Sequence, residues 1–145
     1  MSAVLKKARK PAATVTTDTK VIDAIRLMME SRVGATAVVD NGKLRGVFTE
    51  RDVMNKIVLG KLDPETTPVS KVMTSPVTTV DQHVELGDAL QTMLDRHIRH
   101  LPIVDREGKV LGMLSMRHVL REQVESLKQE VGALANYIGS DGPGG

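Results

Sequence analysis

The 145-residue chain has no cysteine, which excludes disulfides, thiolate zinc sites and iron–sulfur clusters and suits a reducing, cytoplasmic setting. It has no tryptophan, and Phe48 and Tyr137 are its only aromatic residues, so the platforms on which single-strand nucleic-acid binders stack bases are missing. Net charge is low, +2 at pH 7, and the densest basic stretch is the short "LKKARK" near the start. Those lysines can touch phosphate without specificity, but a solvated, flexible arm is the simpler reading, and nucleic acid is not expected as a partner. No apolar run approaches the roughly 20 residues of a membrane span, and the N-terminus lacks the apolar core of a signal peptide, so no membrane partner is expected. Neither a G-x-S-x-G turn nor a G-x-x-x-x-G-K phosphate loop occurs, so no enzyme and no catalytic cofactor is read from spacing.

What the chain does have is a duplication. The stretch "VIDAIRLMMESRVGATAVVDNGKLRGVFTERDV" matches "ELGDALQTMLDRHIRHLPIVDREGKVLGMLSMRHV" through every element. Ala24 pairs with Ala89 and Asp40 with Asp105, 65 residues on, whereas Gly46 pairs with Gly112, 66 on, so one residue was added in the turn between. Upstream, "VTT" at Val15 to Thr17 recurs at Val77 to Thr79, and each unit is expected to open alike. Two copies of about 60 residues suit a two-fold pair better than a solenoid array.

Apolar residues recur at helical spacing at Val21, Ala24, Ile25 and Met28 and again at Leu86, Ala89, Leu90 and Met93. Short β-rich runs follow, separated by the turn stretches "DNGK" and "DREGK", and read as hairpins. "TERD" and "SMRH" then open a second amphipathic helix. The unit is strand, helix, strand, strand, helix, an α+β fold with two small sheets, and sheets this small need a shared core to be stable. The expected divisions are a flexible basic arm over 1–13, units over 14–60 and 76–122 joined by a connector over 61–75, a C-terminal helix over 123–138, and a flexible tail over 139–145. From Leu120 the apolar residues Val124, Leu127, Val131, Leu134 and Ile138 follow at alternating spacings of four and three, an a/d seam interrupted by Gly132. That helix packs either on its own domain or on another subunit.

The phrases "GVFTERDV" and "GMLSMRHV" carry the chemistry. Thr49 followed three residues later by Asp52 predicts a capping box. A ligand role is compatible with the cap. Gly46 and Gly112 fall inside strands, where glycine signals close approach of backbone or ligand. A helix N-terminus with free amides suits an anion, Arg51 beside it suits phosphate, and an ionised Asp52 suits the vicinal hydroxyls of a ribose.

With these motifs in this order, Val15 to about Leu120 resembles a tandem CBS-domain pair, and the whole chain is similar to small bacterial stand-alone proteins of that kind. The resemblance implies a regulatory module without catalysis, binding AMP, ADP, ATP, NAD or a related adenosine ligand in clefts between the units, often as a disc-like homodimer that signals to an effector protein. It implies that Asp52 holds the ribose, that Thr49 and Arg51 face the phosphate, and that Thr16, Val33, Gly34 and Ala35 receive the adenine. Arg99 and His100 are the cations best placed to reach phosphate from the second unit, with Arg117 behind them. Thr78 and Ile98 stand as second-unit counterparts of Thr16 and Val33. In the second phrase Ser115 can still cap, but His118 replaces the carboxylate, and a neutral imidazole accepts at one nitrogen only. One strong site at Asp52 and a weaker or altered one at His118 are expected. A rival is a metal site at His97, His100 and His118; another is an interaction protein with vestigial pockets that docks through its C-terminal helix.

Overall fold

The structure, a computed structural model, describes residues 2–141. A short helix, α1 (Ala3–Lys6), opens the chain, capped by the Ser2 hydroxyl accepting from the Leu5 amide at 3.3 Å. The first unit then runs β1 (Thr14–Thr16), α2 (Val21–Ser31), β2 (Ala35–Asp40), β3 (Lys43–Thr49) and α3 (Glu50–Asp52), which continues as a wider π turn over Val53–Val58. The second runs β4 (Val80–Asp81), α4 (Leu86–Asp95), β5 (His100–Val104), β6 (Val110–Ser115) and α5 (Met116–Asp141). In each sheet the first strand lies parallel to the middle one, which pairs antiparallel with the third.

The turns show why the repeat offset changes. Asn41 and Gly42 both take positive φ, 52° and 79°, as a two-residue hairpin turn with the twist of its strands requires. The second turn is longer: Gly108 takes φ 84°, and the Asp105 carboxylate accepts from the amides of Glu107 and Lys109, each at 2.9 Å. Beyond the turns the register is restored, with Gly46 opposite Val38 and Gly112 opposite Ile103.

The two sheets share a core, as small sheets of this kind require. Ala12, Ala37, Val47 and Met113 form a buried cluster between the units, and the Leu44 amide donates to Gly108 O at 3.0 Å where the hairpins meet. Two expected boundaries are corrected here. The basic arm is not a flexible appendage: Val4, Leu5 and Ala8 are buried in the core of the second unit, and Arg9 exchanges backbone hydrogen bonds with Met113 at 2.9 and 3.1 Å. Lysines flank a small apolar face there, and burial of that face orders the segment. Nor is there a separate helix over 123–138, because α5 begins at Met116 against the sheet and runs unbroken to Asp141. It therefore enters the expected tail, whose residues 142–145 lie outside those described.

The connector is packed as well. Val69 and Val72 are buried in the core of the first unit. Pairing residues 65 apart, "VLKKARKPAATV" from Val4 corresponds to "VSKVMTSPVTTV" from Val69. The two are crossed, each leading into one unit while packing on the other.

Candidate functional site

The capping box at Thr49 is formed: the Asp52 amide donates to Thr49 Oγ1 at 3.2 Å, and the Thr49 amide donates to Asp52 Oδ2 at 3.0 Å. Asp52 is only 4% exposed, and its carboxylate is used on all sides. Oδ2 also accepts from the Thr49 hydroxyl at 3.2 Å, while Oδ1 accepts from the Thr74 hydroxyl at 3.0 Å and pairs with Lys56 Nζ at 3.1 Å. A carboxylate has about four lone-pair sites, and here the chain itself fills them. Thr74 and Lys56 were not singled out from sequence, and Thr74 reaches Asp52 because the connector pairs with β3 at Val47.

The in-strand glycines have the same explanation. A Cβ on Gly46 would stand 2.6 Å from Met73 Sδ and 2.9 Å from Thr74 O, so the close approach there is by the connector, through the Met73 side chain and the Thr74 backbone. Gly112 is approached in the same way by Arg9 O, at 3.1 Å from a built Cβ.

The corner between α2 and β2 meets the second unit. A Cβ on Gly34 would lie 3.2 Å from His100 Cε1 and 3.4 Å from Glu50 Cδ, and the Glu50 amide donates to Gly34 O at 3.1 Å. Gly34, Ala35 and His100 are thus brought together, with Glu50 an unforeseen neighbour, while Arg51 and Arg99 are exposed. Burial holds the His100 imidazole below its ordinary 6.5; the Glu50 carboxylate opposes this, and the Arg99 charge adds to it. With its value held below 6.5, His100 is mostly neutral at pH 7, and a phosphate beside it would have to raise that value for the ring to serve as a cation.

The depressed value has a sign for stability. With the folded value below the unfolded one, the unfolded chain takes up the proton first as pH falls below about 6.5, and stability declines from there until the folded value is passed. Melting of the wild type should fall more between pH 7.5 and 5.5 than melting of His100→Gln; parallel profiles would remove His100 as the cause.

Other candidates are dispersed. Thr16 pairs with Val39, four residues along β2 from Ala35, or about 13 Å by strand rise. It is exposed, and its hydroxyl is given to Asp18, so it does not join Val33, Gly34 and Ala35 at one pocket. Thr78 is not its counterpart. Val15 pairs with Val38 and Val80 with Ile103, each second-unit residue 65 further on, so the counterpart of Thr16 is Asp81. The "VTT" match was a local coincidence. Thr78 and Ile98 are half-buried, Thr78 on the connector side of β4 and Ile98 on the core of the second unit.

A cleft of about 530 Å³ opens between the units, lined by Thr17, Arg45, Met73, Ser75, Pro76 and Thr79 among others. None of the sequence candidates lines it, although Thr17 and Thr79 adjoin Thr16 and Thr78. In the second phrase Ser115 Oγ accepts from the His118 amide at 3.2 Å, and His118 Nε2 lies 4.0 Å from Glu122, with Arg117 exposed. No group of three histidine, aspartate or glutamate side chains converges as a metal site among the described residues.

The CBS-domain family model matches residues 3–59 and 69–125. This chain belongs to the CBS-domain family. The CBS pair is similar to mitochondrial CBSX3 of Arabidopsis thaliana, 36% identical over 128 residues, which span 85% of this chain and 62% of that one. It thus covers under two thirds of that relative. Among solved structures, a CBS-domain protein from Burkholderia ambifaria is 32% identical with a TM-score of 0.77, covering 86% of this chain and 95% of the other. CBSX2, solved in complex with AMP, is 30% identical with a TM-score of 0.71, covering 86% and 98%. Both matched segments begin in the crossed leads, at Ala3 and Val69, so the leads belong to the CBS units they precede.

Proposed function

We propose that this CBS pair is a regulatory, non-catalytic module that binds an adenosine nucleotide (AMP, ADP, ATP or NAD) between its units and signals to a separate effector, as a cytoplasmic homodimer. The AMP complex of CBSX2 carries the choice of ligand class. The inter-unit cleft, which Asp52, Arg51 and Arg99 do not line, offers about 530 Å³, within the ~300–1,000 Å³ usual for small-ligand sites. Arg45 in the cleft and the exposed Arg51 and Arg99 supply charge for phosphates. A ribose at Asp52 must displace the Thr74 hydroxyl or the Lys56 ammonium. That exchange couples ligand to connector, because Thr74 also pairs with Val47 of β3 through its backbone, beside the Ser75 hydroxyl bonded to Arg45 O, and occupancy shifts the population of connector positions. The Ser115–His118 corner, without a carboxylate, is the weaker site.

A thermal-shift panel of AMP, ATP, NAD and S-adenosylmethionine, with GTP as control, tests this. Ligand at about 100 times its dissociation constant adds roughly 2.7 kcal/mol, or about 5–10 °C for a chain of this size. If no adenine compound moves the melt, the sensor reading is lost. Equal shifts in Asp52→Asn would take Asp52 out of the site. The exposed seam of α5 favours the second reading, an interaction protein with vestigial pockets, which predicts a silent panel.

A further inference from the structure

Every residue of α5 from Leu120 to Ile138 is exposed, while Val119 in its first turn is fully buried and Glu122 pairs with Lys7 at 4.0 Å. Its seam is 47–66% exposed at Leu120, Val124, Leu127, Val131, Leu134 and Ile138. Most helical stability in proteins comes from packing an amphipathic face rather than from propensity, so this exposed apolar stripe points to a partner. The family match stops at residue 125, and four of the six seam residues lie beyond it.

We propose that Leu120–Ile138 pairs with the same segment of a second copy as a parallel, in-register, two-stranded coiled coil. Three observations choose this occupant. The a positions are Val124, Val131 and Ile138 and the d positions Leu120, Leu127 and Leu134, and β-branched a with leucine d is the pattern of parallel dimers. A groove on the helix is lined by Val124, Leu127, Lys128, Val131 and Gly132, and the first four, at a, d, e and a, are the residues that surround a d-position knob. Flanking charges set the direction. In parallel, Gln123 faces Lys128 and Glu130 faces Ala135, with no like charges opposed. The antiparallel register that pairs all six layers sets Lys128 against Lys128 and Glu130 against Glu130. Gly132 falls on an outer position, where a Cβ would meet nothing, and does not interrupt the seam.

This assigns a surface to the homodimer and does not depend on the ligand: a monomer that binds nucleotide would sink the coil and leave the sensor reading intact. The absence of cysteine makes the test clean. Ile138→Cys in the full chain should form a disulfide dimer under mild oxidation, because only the parallel register brings residue 138 beside its copy; antiparallel, the two lie about 27 Å apart. Leu127→Glu in that background, at a position exposed in the single chain, should leave the melt of dilute protein unchanged. It should weaken association by about a hundredfold or more in sedimentation and abolish the cross-link. Cross-linking by Leu127→Cys without Ile138→Cys overturns the parallel arrangement, and a wild type that is monomeric, or whose association ignores Leu127→Glu, overturns the coil.

Discussion

Asp52→Ala should destabilise the folded chain by about 2–4 kcal/mol, whereas His118→Ala, at the matching position of the other copy, should stay within about 0.5 kcal/mol. The Asp52 carboxylate is buried and accepts from the Thr49 amide and hydroxyl and from Thr74, besides pairing with Lys56. Truncation leaves the part-buried Thr49 hydroxyl and the Thr49 amide at the helix start short of an acceptor. The cost stays below that of breaking a fully buried ion pair because the Lys56 side chain, 39% exposed, can turn to water. His118 offers a half-exposed ring 4.0 Å from Glu122 and nothing comparable to lose. Denaturant melts of the two variants read this directly, at about 2–4 °C per kcal/mol in thermal scans. A loss for Asp52→Ala as small as that expected for His118→Ala would mean that the Asp52 network carries no stability. Asp52→Asn, which keeps an acceptor for the Thr49 amide, is the better probe of ligand binding for the same reason.

Periodicity and turn chemistry made the repeated unit legible: the buried faces of α2 and α4 follow the apolar spacing, and Asn41–Gly42 form the turn their types demand. The arm was hidden because its apolar residues lie among lysines in a stretch too short to show a period. Its correspondence with the connector, carried by Val4 and Val69, Lys6 and Lys71, and Pro11 and Pro76, is sparser than the accidental "VTT" match. Strand pairing, not local identity, decides such a register. At the site, the residue types of the Thr49–Asp52 phrase predicted the cap. That Thr74 saturates Asp52 was not legible, because contact between residues 22 apart depends on where the connector crosses β3.

That crossing gives the second large effect. Gly46→Ala should cost about 1–3 kcal/mol, and Gly112→Ala, its counterpart, close to nothing. At Gly46 the new methyl would lie 2.6 Å from Met73 Sδ and 2.9 Å from Thr74 O. The thioether can swing away, but the carbonyl is held where it accepts from the Val47 amide at 3.1 Å, next to the Thr74 amide that donates to Val47 O at 2.8 Å. Relief therefore means lifting the connector from β3, which also loosens the Thr74 hydroxyl from Asp52. At Gly112 the nearest atoms are Arg9 O at 3.1 Å and Ala8 Cβ and Lys10 Cγ at 3.4 Å. Arg9 O is held there by the Met113 amide at 3.1 Å, as Thr74 O is by Val47, but the overlap is smaller, so a shift of a few tenths of an ångström suffices, and the lower freedom of alanine in the unfolded chain offsets the remaining strain. Equilibrium denaturation of both variants should separate them by at least about 1 kcal/mol. If Gly112→Ala proves the costlier, the connector does not press on β3 as closely as the N-terminal lead presses on β6.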